Sequence, residues 1–167
     1  SGLPAADPLG LWATDPAAAL ARIARVALVS PPGERFLYTD LGFLVLGDVV
    51  ARVSGRPLDA FVRDAIYAPL GMTATGFRPD PSLLGRIAPT GPRMGTRQIV
   101  RGEGYDPRVR ALGGVAGHAG LFSTADDLAI WAQMILDRGA YAGRRVLTAR
   151  SVAAILRPRG PAGGHRA

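Results

Sequence analysis

Apolar residues recur at helical spacing in several stretches of this chain, as they do in helices that bury one face. The first stretch begins at Asp15-Pro16, where the aspartate can cap a helix and the proline is tolerated in the first turn. It runs over residues 17–29 and stops at Pro31-Pro32-Gly33. We expect this helix to bury Leu20, Ile23, Val26 and Leu28.

The next two apolar stretches predict two further helices. Asp40 can cap the second helix, because its carboxylate can accept from the free amides of the first turn. Ser54-Gly55 would end that helix, and a third helix over residues 58–67 would end at Pro69 and Gly71. The side chains expected to be buried are Leu41, Leu44, Val45, Val49 and Val53 in the second helix, and Phe61, Val62 and Ile66 in the third.

A phenol and a carboxylate stand two residues apart at the predicted start of the second helix. Tyr38 would end an extended segment and Asp40 would open the helix, with packed side chains behind both. Such packing holds a reactive side chain still. A tyrosine beside a capping aspartate is also a common structural pattern, so the pair alone does not distinguish a catalytic role from a structural one.

Residues 78–110 are interrupted by proline and glycine and show little periodicity. Brief strands over 87–89 or 98–100 are compatible with the pattern. Long stretches without regular structure are often lids or binding loops, although an irregular surface connection is an equal alternative. We therefore predict a long loop over a site.

Glycines 113, 114, 117 and 120 surround His118 and allow backbone paths that are closed to other residues. No phosphate-loop lysine follows them, which argues against a nucleotide site. His118 titrates near neutral pH and could touch a substrate carboxylate or leaving group. The structural alternative, in which it only satisfies nearby backbone groups, is favoured.

Two more helices are predicted towards the end of the chain. Ser123 or Thr124, with Asp126 or Asp127, forms a capping signature for a helix over 126–137. Thr148 would cap a last short helix ending near residue 156, and the Gly/Pro/Arg-rich tail 158–167 is expected to fray. The side chains predicted on the apolar side of helix 126–137 are Leu128, Trp131, Met134 and Ile135.

The composition narrows the class of protein. With 167 residues, 48% of them hydrophobic, the chain is sized for one domain with a packed core. No apolar run approaches the roughly 20 residues of a membrane span, and no signal peptide is visible. There is no cysteine, and the two histidines are too few and too dispersed to predict a metal site.

The net charge is +7, and all 20 basic residues are arginine, because the chain has no lysine. The arginines are scattered and no series of stacking aromatics is interleaved with them. An arginine-rich nucleic-acid binder is therefore the least favoured class.

Two long strings resemble the serine β-lactamase, penicillin-binding-protein and esterase family, especially its class C-like branch. Residues 31–77 carry Tyr38-Thr39-Asp40 and the later Pro69-Leu70-Gly71-Met72 with Thr75, which is similar to the family's Tyr-x-Asn motif followed by a helix and a "PLGM-x-x-T" turn. Residues 113–128 resemble the "GG-x-AGH-AGLFSTA-x-DLA" segment, and residues 1–4 resemble the end of "HTSGLP".

The resemblance implies an α+β fold, of which these 167 residues would be mostly the helical portion and incomplete. It implies a covalent acyl-enzyme reaction on an ester, a D-Ala-D-Ala-type amide or a β-lactam, without a cofactor or metal. Tyr38 and Asp40 would be catalytic, and His118 and Gly120 would bind substrate on the active-site floor. Aspartate replaces the motif's asparagine, and an ionised carboxylate can only accept hydrogen bonds.

The family's nucleophile stands in Ser-x-x-Lys, which a chain without lysine cannot contain. A free phenol is a poor base at neutral pH, so Tyr38 would also need a nearby cation of that kind. We therefore expect the isolated chain to be inactive. The alternative is a catalytically dead module that binds a small-molecule ligand. The resemblance suggests the cell envelope or secretion, and oligomeric state stays open.

Overall fold

The computed structural model describes residues 1–5, 15–93 and 95–157. Helices dominate and the strands are short, which agrees with the predicted α+β class. The helices are α1 (Pro16–Ile23), α2 (Asp40–Ser54), α3 (Leu58–Val62), α4 (Ala68–Leu70), α5 (Pro107–Ala111), α6 (Ala125–Leu136) and α7 (Ala149–Leu156). The strands are β1 (Gly76–Phe77), β2 (Gly91–Pro92), β3 (Ile99–Val100), β4 (Leu121–Phe122), β5 (Ala140–Tyr141) and β6 (Arg144–Arg145).

The described strands form three antiparallel pairs, β1 with β4, β2 with β3 and β5 with β6. Gly76 lies opposite Phe122, so the segment after α4 is joined to the segment before α6. No helix in the described ranges is long and apolar enough to cross a membrane.

Helix α1 is capped as predicted but ends earlier. The Asp15 side chain accepts from the Ala17 amide at 3.1 Å, whereas the last helical residue is Ile23 instead of residue 29. The Val29 amide donates to the Gly2 carbonyl at 2.9 Å, which draws the chain away from a helical path. Leu28 is consequently exposed, contrary to the prediction.

Helix α2 begins one position away from the predicted cap. Thr39 is the N-cap residue in extended conformation and Asp40 is the first helical residue. The prediction that Asp40 caps the helix is therefore wrong, because its carboxylate is engaged by Arg108 instead. The helix ends as predicted at Gly55, whose φ of 66° is left-handed.

Only one side of α2 is buried. Leu41 and Leu44 belong to a cluster with Ile23, Val109 and Ala116, and Val45 packs against it. Val49 and Val53 are exposed, so their predicted burial is wrong. The hydrophobic cluster does not extend to that part of the helix.

The third predicted helix continues through its proline. A π-helical turn, Arg63–Tyr67, joins α3 to α4, and the Ala68 amide bonds to the Arg63 carbonyl. Pro69 has no N–H to offer, and a local i to i−5 pattern accommodates a missing donor without ending the helix. Gly71 ends it with a φ of 75°, whereas the prediction that Pro69 ends it is wrong.

The predicted long loop, residues 78–110, carries short regular elements. A 3₁₀ helix covers Pro81–Arg86, and β2 and β3 form a hairpin. The strand predicted within 98–100 is present, whereas residues 87–89 are not a strand. Helix α5 closes the segment and contributes Val109, which is completely buried, to the first cluster.

A second hydrophobic cluster lies around Leu70, Met72 and Met134. Tyr67 packs against it, and burial raises the pKa of that phenol above its ordinary value. The predicted apolar side of α6 is correct for Met134, while Trp131 and Ile135 are partly buried. Leu128 is exposed, which contradicts the prediction. Of α3 and the π turn, Phe61, Val62 and Ile66 are only partly buried.

Helices α6 and α7 are capped as predicted. Thr124 accepts from the Asp127 amide, and Thr148 accepts from the Ser151 amide. The turn between β5 and β6 is at Ala142-Gly143, both with positive φ. The tail predicted to fray, residues 158–167, lies outside the described residues.

Asp127 connects the segment after α4 to the start of α6. Its buried carboxylate accepts from the Ala74 amide at 2.9 Å and from the Thr75 hydroxyl at 2.7 Å. Both bonds are charge-assisted, and they cross more than 50 residues of chain. This carboxylate therefore holds together the two regions that carried the family resemblance.

We predict that Asp127→Ala lowers the free energy of unfolding by about 2–4 kcal/mol, because the Ala74 amide and the Thr75 hydroxyl both lose a buried, charged acceptor. Asp126→Ala is the matched control, since Asp126 is the exposed neighbour in the same first turn. Urea unfolding measures both variants. Equal losses would show that Asp127 has no special role.

Candidate active site

Tyr38 lies on the extended segment that leads into α2. Its side chain is 63% exposed, and its hydroxyl has no hydrogen bond to any described residue. The neighbouring Thr39 is buried, and its hydroxyl donates to the Pro4 carbonyl at 2.7 Å. The phenol therefore projects from a backbone that is fixed one residue later.

The carboxylate of Asp40 forms an ion pair with the guanidinium of Arg108. The two side chains are about equally shielded, at 21% and 20% exposure. An arginine donates a charge-assisted hydrogen bond to a carboxylate. The carboxylate of Asp40 therefore accepts its hydrogen bond from a residue of the protein itself.

Helix α5 is the element around which three of the four predicted site residues meet. Asp40 contacts its Arg108, and Gly120 packs against its Val109. His118 lies beside Asp106, the N-cap residue of α5, with 3.7 Å between Nε2 and Oδ1. Tyr38 is the fourth, and it lies two residues before Asp40 in the chain.

His118 is buried rather than open to a cleft, with 3% of its side chain exposed. Neither ring nitrogen has a hydrogen-bond partner among the described residues. This departs from the structural alternative, in which the imidazole satisfies backbone groups of the glycine segment. A direct contact with substrate stays a prediction, as does the binding role of Gly120.

Gly120 has a steric requirement of its own. Its φ is +99°, and an added Cβ would lie 2.5 Å from a Val109 methyl and 2.9 Å from the Gly114 carbonyl oxygen. Only glycine fits such a path without displacement. This residue fixes the turn that leads from His118 into β4.

Gly117 allows the glycine segment to lie directly on α2. An added Cβ would be 2.0 Å from the Phe43 carbonyl oxygen and 3.0 Å from the Gly47 nitrogen, and a Cβ added to Gly47 would lie 3.1 Å from the Gly117 nitrogen. The absence of both side chains brings backbone against backbone. This contact sets the distance between His118 and the first turn of α2.

The cluster also raises the question of a metal ion. One ligand atom from each of Asp40, Asp106 and His118 lies within 4.8 Å of the others. This grouping was not predicted from the sequence, because the two histidines are few and dispersed along the chain. Arg108 already supplies a positive charge to Asp40, so the absence of a metal stays our prediction for this site.

Sequence reasoning missed Asp106 and Arg108. Asp106 accepts from the Arg108 amide at 2.6 Å and is followed by Pro107, the first residue of α5. An aspartate followed by proline is the same helix-start signal that correctly located α1. That signal was available within the residues assigned to a loop.

Comparison with known proteins identifies the fold and the family. The Beta-lactamase family model matches residues 1–167. Over 158 residues the chain is 35% identical to "Putative D-alanyl-D-alanine carboxypeptidase" of Escherichia coli K12, covering 85% of this chain and 36% of that protein. It is 33% identical over 139 residues to N-acetylmuramyl-L-alanine amidase of Bacillus subtilis, covering 71% and 30%.

Solved structures agree. A β-lactamase/D-alanine carboxypeptidase from Yersinia pestis is 27% identical, with a TM-score of 0.59 over 81% of this chain and 36% of the other. A penicillin-binding protein from Bacillus halodurans shares the fold, with a TM-score of 0.67 over 95% and 48% and an identity of 21%.

The fold is part of the fold shared by β-lactamases and penicillin-binding proteins. The chain belongs to the Beta-lactamase family, and the predicted resemblance is confirmed. It spans 36% and 30% of the lengths of these two curated relatives, so the predicted incomplete α+β fold is also confirmed.

We predict that Gly117→Ala destabilises the chain by about 1–3 kcal/mol, because the added methyl must separate α2 from the glycine segment. Gly85→Ala is the matched control, since a Cβ there meets nothing within 4 Å and its φ is not positive. Chemical denaturation followed by circular dichroism compares them. Equal stability of the two variants would contradict the close backbone contact.

Proposed function

We propose that this chain is part of a serine hydrolase that forms a covalent acyl-enzyme, with Tyr38 as its main contribution to the chemistry. The observation that carries the proposal is an exposed phenol on a backbone fixed between Pro4 and the first turn of α2. Membership of the Beta-lactamase family supports it. The names of the relatives favour an amide of D-alanyl-D-alanine type, with a β-lactam or an ester as the other acyl donors.

In this mechanism a serine oxygen attacks the carbonyl carbon of the substrate. The serine proton passes to Tyr38 and from there to the leaving group, and water then releases the acyl group from the serine. The nucleophile would come from a Ser-x-x-Lys motif outside these residues, because the chain has no lysine. The ammonium of that lysine would favour the phenolate of the tyrosine.

Exposed apolar side chains beside Tyr38 support a site completed by further protein. Phe36, Phe43 and Leu46 are each about half exposed, and they lie within eight residues of Tyr38 in the sequence, before and within α2. Apolar surface of this kind typically marks an interaction surface. We infer that the segment bearing the nucleophile covers it.

The second candidate is a catalytically dead module that binds a small-molecule ligand. The lack of lysine, the buried side chain of His118 and the ion-paired carboxylate of Asp40 favour it, because these residues by themselves provide no nucleophile. Sequencing upstream of the segment separates the two: a Ser-x-x-Lys motif supports the hydrolase and its absence supports the module. We expect the isolated chain to be inactive. Labelling of the isolated chain by a fluorophosphonate would show that it carries its own nucleophile, which would contradict the proposal.

For the complete gene product, we predict that Tyr38→Phe lowers kcat/KM for a D-Ala-D-Ala peptide or a chromogenic β-lactam by about 10²–10⁴-fold, because the hydroxyl that transfers the proton is removed. Tyr105→Phe is the control, since Tyr105 is also a half-exposed tyrosine. Steady-state kinetics gives kcat/KM for both variants, after thermal unfolding has shown that they are equally stable. Unchanged activity of Tyr38→Phe would refute the assigned role.

A further inference from the structure

The Asp40–Arg108 ion pair joins two parts of the chain that are 68 residues apart. Each side chain is about four-fifths shielded from solvent. A shielded carboxylate or guanidinium is costly without its partner. The pair therefore favours one arrangement of the start of α2 relative to α5.

Arg108 is presented from a rigid turn. Asp106 caps α5 by accepting from the Arg108 amide, and the Arg110 guanidinium donates to the carbonyls of Gly104 and Tyr105 at 2.8 Å each. Val109, between the two arginines, is fully buried in the first hydrophobic cluster. The backbone that carries Arg108 is thus held on both sides.

Asp40 is held just as firmly on its own side. Leu41, the next residue, is 1% exposed, and Thr39, the preceding one, is bonded to Pro4. Tyr38 comes directly before Thr39, whose backbone is extended. Any change in the direction at which residues 38–40 enter α2 would therefore move the phenol.

We propose that Arg108 is a positioning residue, which acts through Asp40 to fix Tyr38 in its reactive orientation. This inference rests on the proposed function and deepens it. Asp40 is then a positioning residue as well, rather than a group that contacts substrate in place of the motif's asparagine. Misplacement of a catalytic group by about 1 Å is enough to cost on the order of 10²-fold in rate.

The test compares Asp40→Asn, Arg108→Met and the double variant in the complete gene product. We expect each single change to lower kcat at least about tenfold with little change in KM, because the phenol is misplaced while substrate binding is kept. The double variant should be no worse than either single one. Because Asp40→Asn creates the family's Tyr-x-Asn motif, full or increased activity of that variant would overturn the proposal, as would independent losses that multiply.

Two variants serve as controls. Asp48→Asn makes the same chemical change on the same helix, in a more exposed pair with Arg52, and should leave kcat unchanged. Asp40→Glu keeps the charge and should recover part of the lost activity. If the complete protein hydrolyses none of the acyl donors, the proposed function fails, and the positioning claim is judged on the same protein by spectroscopy.

For that purpose the tyrosines of the complete gene product are replaced by 3-fluorotyrosine and observed by fluorine NMR. Tyr38→Phe assigns the Tyr38 signal. We expect Asp40→Asn and Arg108→Met to shift this signal alike while Tyr67 and Tyr141, in the second cluster, keep theirs. An unmoved Tyr38 signal would overturn the inference.

The same sample distinguishes the ion pair from a metal site formed by Asp40, Asp106 and His118. Addition of Zn²⁺ should leave the Tyr38 signal and the thermal midpoint unchanged. A stoichiometric Zn²⁺-dependent shift that is lost in His118→Ala would show that these side chains hold a cation, which would overturn the assignment of Asp40 to Arg108.

Discussion

The contact on which the site depends is the one between the backbone of Gly117 and that of α2 at Phe43 and Gly47. Any side chain at position 117 would overlap the Phe43 carbonyl, so the glycine segment and the helix approach each other as two bare backbones. Leu41, Leu44, Val109 and Ala116 pack around this contact. It places the glycine segment, and with it His118, against the first turns of α2.

Charge then adds orientation to this packing. Apolar side chains bring α2, α5 and the glycine segment together without strong directionality. The Asp40–Arg108 ion pair is directional, and it selects one approach of the entry segment to α5. The exposed phenol of Tyr38 therefore stands on a support that is specified twice, first by packing and then by charge. Such a rigid support suits the catalytic role proposed for Tyr38.

The local part of this arrangement could be predicted from the sequence. Asp15, Thr124 and Thr148 cap helices, and Gly55 and Gly71 end them, because each depends only on its near neighbours. The long family strings predicted the fold class, which is confirmed by the comparisons. Tyr38 and Asp40 were located, although their catalytic roles remain proposals.

The wrong predictions concern residues whose surroundings are set by contacts between distant parts of the chain. Asp40 is a good capping residue by type, yet Arg108, far along the chain, engages its carboxylate. Val53 has the right spacing for burial, but no described hydrophobic cluster reaches it. His118, Asp106 and Asp40 come together through the glycine contact with α2 and the packing of α5, and no spacing rule contains that information. The Asp106-Pro107 pair was the one local signal that could have located α5.

The central claim is that the start of α2 and the glycine segment form one rigid unit. Native-state hydrogen exchange of this chain tests it most directly, since residues that open together share one opening free energy. We expect the protected amides of residues 41–47 and 114–121 to have the same opening free energy and the same dependence on denaturant. Opening of the glycine segment at a clearly lower free energy, with α2 still protected, would contradict the claim.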